Sequence, residues 1–188
     1  MNGETTEQLI GFVTGEGGTG KSMLIQTLKE YCQLTFGKQE GIYGSALAMA
    51  PTGCAASNIE GYTWQSITCC GFSTNSENDM KPSQETARLI GEKIKGVKLM
   101  IFDEVSMLSF TKLAIMEARI IAGLLFNCTT AESKTTVATL PFGGINMLFV
   151  GDLWQLGKFY IQLYIYTYIH TYIPSNINLY ILFYRSRW

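Results

Sequence analysis

Basic charge is scarce in this sequence: 14 Lys and Arg stand against 15 Asp and Glu, a formal net charge of −1. Bulk attraction to a polyanion needs clustered Lys and Arg, so any hold on nucleic acid has to be local. Histidine is scarcer still. A lone His170 and five cysteines without a CxxC spacing exclude the common zinc patterns. The odd number of cysteines excludes a closed disulfide scaffold and reads as reduced thiols of an intracellular protein. The opening MNGETTEQLIGFV has neither a basic segment followed by an apolar one nor an Arg-rich amphipathic stretch, so no signal for secretion or organelle import is read there. A membrane span is also poorly supported: Gln162, Thr167, His170, Thr171, Pro174, Asn176 and Asn178 break up the most apolar segment within the roughly 20 residues a spanning helix needs. What remains is 188 residues, 47% apolar and 15% charged, which is enough to bury the core of one domain and too apolar for a disordered polymer.

Composition changes near Lys158. All fifteen acidic residues lie before it, whereas residues 159–188 hold seven of the ten tyrosines and only Arg185 and Arg187 as basic residues. The first part alternates apolar runs with helical stretches. Leu9–Thr14 predicts a strand, Lys21–Phe36 a helix, Ser45–Ala50 a strand, and Thr52 the start of a short helix. A polar loop over Ser73–Gln84 and a helix over Glu85–Lys95 follow. Val97–Phe102 predicts a strand apolar on both faces. Leu108–Phe126 reads as a helix buried at Leu113, Ile115, Met116, Ile120, Leu124 and Leu125. Asn127–Thr139 reads as a soft segment before Pro141–Gly144, and Ile145–Val150 as a last strand. This βαβ rhythm predicts a three-layer α/β fold around a mainly parallel sheet.

Gly15-Glu16-Gly17-Gly18-Thr19-Gly20-Lys21-Ser22 satisfies GxxxxGK[ST] between a strand and a helix. Glycines at these positions let successive N–H groups face phosphate oxygens at the positive end of the helix. Lys21 then bridges the β and γ phosphates of ATP, and the Ser22 hydroxyl is placed to ligate Mg2+. A second element is the strand ending in Asp103-Glu104. Asp103 is the metal-side candidate and Glu104 the base that polarises water, as in phosphoryl-transfer sites. The alternative is that the two carboxylates cap the next helix.

Four further blocks carry a resemblance. Ala50-Pro51-Thr52-Gly53-Cys54-Ala55-Ala56, Gly61-Tyr62-Thr63-Trp64-Gln65-Ser66, Asp103-Glu104-Val105-Ser106-Met107, and Gly143-Gly144 with Gly151-Asp152-Leu153-Trp154-Gln155-Leu156 are similar, in order, to motifs Ia, Ib, II and III of superfamily-one B helicases. With the phosphate loop they cover most of residues 9–156, and they most resemble the petite-integration-frequency (PIF-type) helicases and their Helitron relatives. The resemblance implies a P-loop NTPase of RecA-like fold over residues 1–156, the first motor domain of a 5′→3′ DNA helicase. It also implies ATP hydrolysis coupled to movement on single-stranded or forked DNA, in DNA repair, recombination and telomere maintenance, in nucleus or mitochondrion. By position Thr52, Ala55, Thr63, Gln65 and Ser66 match residues near the DNA strand, and Asp152 and Gln155 match the motif that senses the γ phosphate. Trp64 is the candidate for stacking on a base, a contact worth about 1–3 kcal/mol; the alternative is a packing residue. For Gln155 the alternative is an ordinary strand-end amide.

The sequence also departs from the family pattern. Gln65 stands where the family usually has His, and Gln8 lies too close to Gly15 for the family's adenine-reading glutamine. No second motor domain follows residue 156, so the family's catalytic arginines are missing from this chain and it is expected to be a truncated fragment. Residues 157–188 are expected to be non-native or read-through sequence, since Tyr164–Ile173 is what a TA/CA dinucleotide repeat spells when translated. As native structure, the Tyr/Ile alternation would form β-strands. The rival reading is a non-catalytic nucleotide- or single-strand-binding fragment, or an inert gene-model product; a small-molecule kinase is a weaker rival.

Overall fold

Strands β1 (Leu9–Thr14), β2 (Ala46–Ala50), β3 (Tyr62–Thr63), β4 (Leu99–Phe102), β5 (Asn146–Gly151) and β6 (Asn178–Phe183) form one sheet in the order β3-β2-β4-β5-β1-β6. Every pairing is parallel. The computed structural model describes residues 8–37, 42–71, 76–152 and 178–183, the last of these as backbone. All strands therefore point their C-terminal ends to one edge, where ligands sit in folds of this kind.

Helices cover both faces, which is why the central strands are apolar at nearly every position. On one face Val13, Ala48, Ala50, Ile101, Leu148 and Val150 meet Ile25 and Cys32 of α1 (Lys21–Phe36) and Ala56 of α2 (Gly53–Asn58). On the other, the alternate residues Phe12, Leu47, Met49, Met100, Phe102, Met147 and Phe149 meet α3 (Trp64–Thr68), α4 (Gln84–Ile94) and α5 (Phe110–Asn127). The three layers match the expectation from sequence. Where α4 crosses α5, a Cβ built on Gly91 would sit 2.6 Å from the Gly123 carbonyl oxygen, so the two backbones touch with no room for a side chain between them.

Several boundaries differ from the sequence reading. Asn127–Thr139 is no soft segment: α6 spans Ala131–Thr139. It buries none of its residues, so no apolar periodicity announced it. Its start is fixed by the Thr130 hydroxyl, which accepts from Ser133 N at 3.2 Å. The expected polar loop before α4 contains a short 3-10 helix, Glu77–Met80. Leu124 and Leu125 are only partly buried. Of the Tyr/Ile-rich tail, Asn178–Phe183 pairs along β1 from Leu9↔Asn178 to Thr14↔Phe183. Residues 153–177 and 184–188, with Gln155 among them, lie outside the described residues. No helix among the described residues is long and apolar enough to cross a membrane.

Candidate functional site

Across the C-terminal edge of the sheet, in spatial order, stand Thr63 at the end of β3, Thr52 beyond β2, Asp103 beyond β4, Asp152 beyond β5 and the glycine loop beyond β1. The candidates that sequence scatters over residues 15–152 thus share one edge. Two backbone bonds lock neighbouring ends together: Gly15 N donates to Gly151 O at 3.3 Å, and Asp103 N donates to Met49 O at 2.8 Å.

The loop turns as phosphate loops must. Gly18 (φ 76°) and Gly20 (φ 90°) occupy the left-handed region, which a side chain would strain. Gly20 is the N-cap of α1, and since it offers no side-chain oxygen and no acidic residue follows in the first turn, the leading N–H groups of that helix keep no internal anion. Gly17 has open space beyond its α-carbon. Thr19 Oγ1 donates to Glu16 O at 2.8 Å, and Lys21 Nζ donates to Gly15 O at 2.7 Å and Glu16 O at 2.9 Å, so the ammonium sits inside the loop. Ser22 is exposed in the first turn of α1.

Asp103 is 7% exposed, and its Oδ1 has no hydrogen-bond partner. Burial pushes its carboxyl above the usual carboxylate range. The Glu104 charge adds to this, while the Glu104 backbone N–H and the Lys21 charge oppose it. Lys21 is therefore close enough to act on Asp103. Glu104 is half-buried and held at φ 52°, an unusual conformation for a residue with a side chain. Its side chain makes no capping bond to the turn it heads (Val105–Met107), so the capping alternative fails for Glu104. Asp152 is also buried.

Thr52 and Thr63 are both helix caps. Thr52 Oγ1 accepts from Ala55 N at 3.2 Å, and Thr63 Oγ1 accepts from Ser66 N at 3.3 Å, with Ser66 Oγ returning a bond to Thr63 O at 2.7 Å. Thr52 and Ser66 are exposed, whereas Ala55, Thr63 and Gln65 are half-buried. The Gln65 Oε1 has no partner. Trp64 corrects an expectation. It is 1% exposed and packs in the core with Ile67 and the β-strands, so its ring is not available to stack on a base. The packing alternative is the one realised, because the Thr63 cap turns the first residue of α3 inward.

Two supporting residues were missed in the sequence. Arg119 of α5 donates from Nε to Asp79 O at 2.9 Å and from a terminal nitrogen to Thr68 O at 3.3 Å. Lys93 of α4 donates to Ser66 O at 2.5 Å. Both anchor α3 from behind. Each is an isolated basic residue on an amphipathic helix, and its target lies tens of residues away, so no local pattern marks it.

A family model described as "PIF1-like helicase" matches residues 3–159. The chain is 30% identical over 147 residues to the ATP-dependent DNA helicase PIF1 of Saccharomyces cerevisiae, covering 77% of this chain and 15% of that protein. It is 28% identical over 145 residues to the ATP-dependent DNA helicase RRM3 of the same yeast, covering 18% of that protein. The chain thus spans less than a fifth of the length of these relatives. Among solved structures, it is similar to Bacteroides Pif1 helicase in complex with ADP-AlF3 and ssDNA (TM-score 0.57, 23% identity, 97% of this chain and 39% of that one). It is also similar to Pif1 helicase from Candida albicans (TM-score 0.58, 20% identity, 97% and 37%). At these identities the structural likeness establishes the fold.

Proposed function

Because this chain belongs to the PIF1-like helicase family, we propose that residues 1–156 are the first, ATP-hydrolysing motor domain of a 5′→3′ DNA helicase that acts on single-stranded and forked DNA in genome maintenance. Residues 157–188 stand outside that domain in this reading. One observation supports it above the rest: a buried carboxylate with an unpartnered oxygen, Asp103 Oδ1, on the same sheet edge as the glycine loop whose Lys21 charge acts on it. A buried acidic oxygen left without a donor is costly unless something positive meets it. Mg2+ fits that demand in charge and in oxygen preference, with Asp103 and Ser22 as the residues that would hold its shell.

The chain's own groups divide the work. Lys21 leaves the Gly15 and Glu16 carbonyls for the β and γ phosphates, and Gly15, Gly17, Gly18, Thr19 and Gly20 contribute the surrounding backbone. Magnesium held by Asp103 and Ser22 would supply positive charge against the charge that develops on the phosphate oxygens. Glu104 takes the proton of the attacking water. Asp152 and Gln155 relate phosphate state to DNA. Thr52, Ala55, Thr63, Gln65 and Ser66 lie along the DNA backbone, the two helix starts offering polar groups to phosphates without reading sequence.

A second reading rests on the arginines. Among the described residues Arg88 pairs with Glu85 and Glu92 on α4, and Arg119 is engaged with α3 and Asp79, so both serve the helical layer. An arginine finger is worth about 10³–10⁵ in turnover. In this second reading the chain binds MgATP and hydrolyses it only slowly until an arginine is supplied. Steady-state hydrolysis by the full chain, with and without single-stranded DNA, beside Lys21→Ala, tests both. Turnover that DNA stimulates and the variant loses is the expected result. Nucleotide binding with no turnover selects the second reading, and equal turnover in the variant refutes the proposed site.

A further inference from the structure

Two cysteines follow one another at the C-terminal end of α3, and the surroundings of the first set it apart from the other thiols. Cys69 ends the helix in the left-handed conformation and is half-buried. Lys93 Nζ lies 3.3 Å from Cys69 Sγ. The Arg119 guanidinium reaches the Cys69 carbonyl at 3.5 Å, so two cations converge on one turn. Among the described residues no carboxylate forms an ion pair with Lys93. Next to it Cys70 Sγ accepts from Thr68 Oγ1 at 3.3 Å. Cys69 Sγ also donates to the Ile67 carbonyl at 4.0 Å, as Cys128 Sγ does to Leu124, so the Lys93 contact is what sets Cys69 apart; Cys32 is buried, and burial pushes its thiol up, while Cys54 is exposed on α2.

Reactive thiols occupy partly exposed, electropositive surroundings, because the attacking species is the sulfur anion. From these contacts we propose that Cys69 is a modification site, a nucleophilic thiol open to peroxides and soft electrophiles, with Lys93 as the cation that balances charge on its sulfur. With a peroxide, the sulfur anion attacks one oxygen, an S–O bond forms, the O–O bond breaks, and hydroxide leaves and is protonated by solvent. The sulfur is oxidised and the peroxide reduced. A small-molecule thiol then attacks the sulfenic sulfur, forming S–S and releasing water. Cys70 is poorly placed to be that thiol. Adjacent α-carbons stand about 3.8 Å apart, short of the roughly 4.4–6.8 Å that a disulfide usually spans. A group added to Cys69 would enter the space between Sγ and Nζ and separate Lys93 from the Ser66 carbonyl, loosening the support of α3. The inference is independent of the helicase reading and needs neither nucleotide nor DNA.

The test is alkylation of the full chain with iodoacetamide, followed cysteine by cysteine by peptide mass spectrometry. The expected result is that Lys93→Gln slows labelling of Cys69 about tenfold while exposed Cys54 labels at an unchanged rate, and that Lys93→Arg keeps the wild-type rate. An unchanged Cys69 rate in Lys93→Gln overturns the proposal. Protection of buried Cys32 reports that each variant is folded. Wild-type protein gives a second reading that needs no variant: hydrogen peroxide followed by dimedone is expected to tag Cys69 ahead of Cys54, and a tag on Cys54 alone overturns the proposal.

Discussion

Replacing Asp103 with Asn should make the apo protein more stable and the enzyme inert. The carboxylate is buried, one oxygen has no partner, and burial has pushed its titration upward. A carboxyl raised in the folded state favours folding only while protonated. That contribution is complete below the unfolded carboxylate range and is lost as pH rises through the raised folded value, so at neutral pH the ionised group opposes folding. Asn keeps the shape and can still accept from the Glu104 N–H, but it carries no charge. Relief of a buried unsatisfied charged group is worth about 1–2 kcal/mol, or about 2–8 °C in Tm for a domain of this size. Thermal melts of both proteins from acid to neutral pH should show the gap at neutral pH and its closure in acid. Adding MgATP should reverse the order, since a ligand at 100 times its Kd adds about 2.7 kcal/mol to the protein that binds it. An Asn variant less stable than wild type at neutral pH without nucleotide, or one stabilised equally by MgATP, would refute the reasoning.

Glu104→Gln should lower kcat by about 10²–10⁴ with MgATP affinity unchanged, since the residue moves a proton and does not hold the nucleotide; parallel loss of affinity in a binding titration would remove it as the base. Gly91→Ala should destabilise by about 1–3 kcal/mol, because the new Cβ would meet the Gly123 carbonyl oxygen at 2.6 Å and neither backbone can yield cheaply. A urea midpoint equal to wild type would show that α4 and α5 slide apart without cost.

What could be read from sequence was whatever is written locally. Leu9–Thr14 and Lys21–Phe36 carry their periodicity and their glycine punctuation within a few residues, and both elements have the expected bounds. The phosphate loop is likewise one contiguous stretch. Helix α6 carries no apolar stripe and is marked only by the Thr130 hydroxyl cap at its start, so periodicity was blind to it. For Trp64 the sequence left stacking and packing open, because its immediate neighbours Thr63, Gln65 and Ser66 are polar; burial in the assembled core decides for packing. The same holds for the lysine and arginine behind α3. Their targets are fixed by helix packing, which no window along the chain contains. The orphaned Asp103 oxygen is a property of the assembled edge and could be seen only there.

The strand that delivers the phosphate loop is an early arrival with late partners. Thr14 pairs with Gly151 on one side and Phe183 on the other, and Leu9 N is bonded by the Asn146 side chain 137 residues downstream. During synthesis at about 5–20 residues per second, β1 and its loop wait roughly 7–27 s for β5 to be made. Through that interval β1 lacks its strand partners, and the glycine loop has no Gly151 carbonyl to close on. Such non-local parallel pairing makes folding slow and exposes the nascent chain to aggregation. The proposed nucleotide site is therefore among the last parts of the molecule to form, and a ribosome-bound chain that stops short of β5 has a complete loop sequence and no assembled edge to close it.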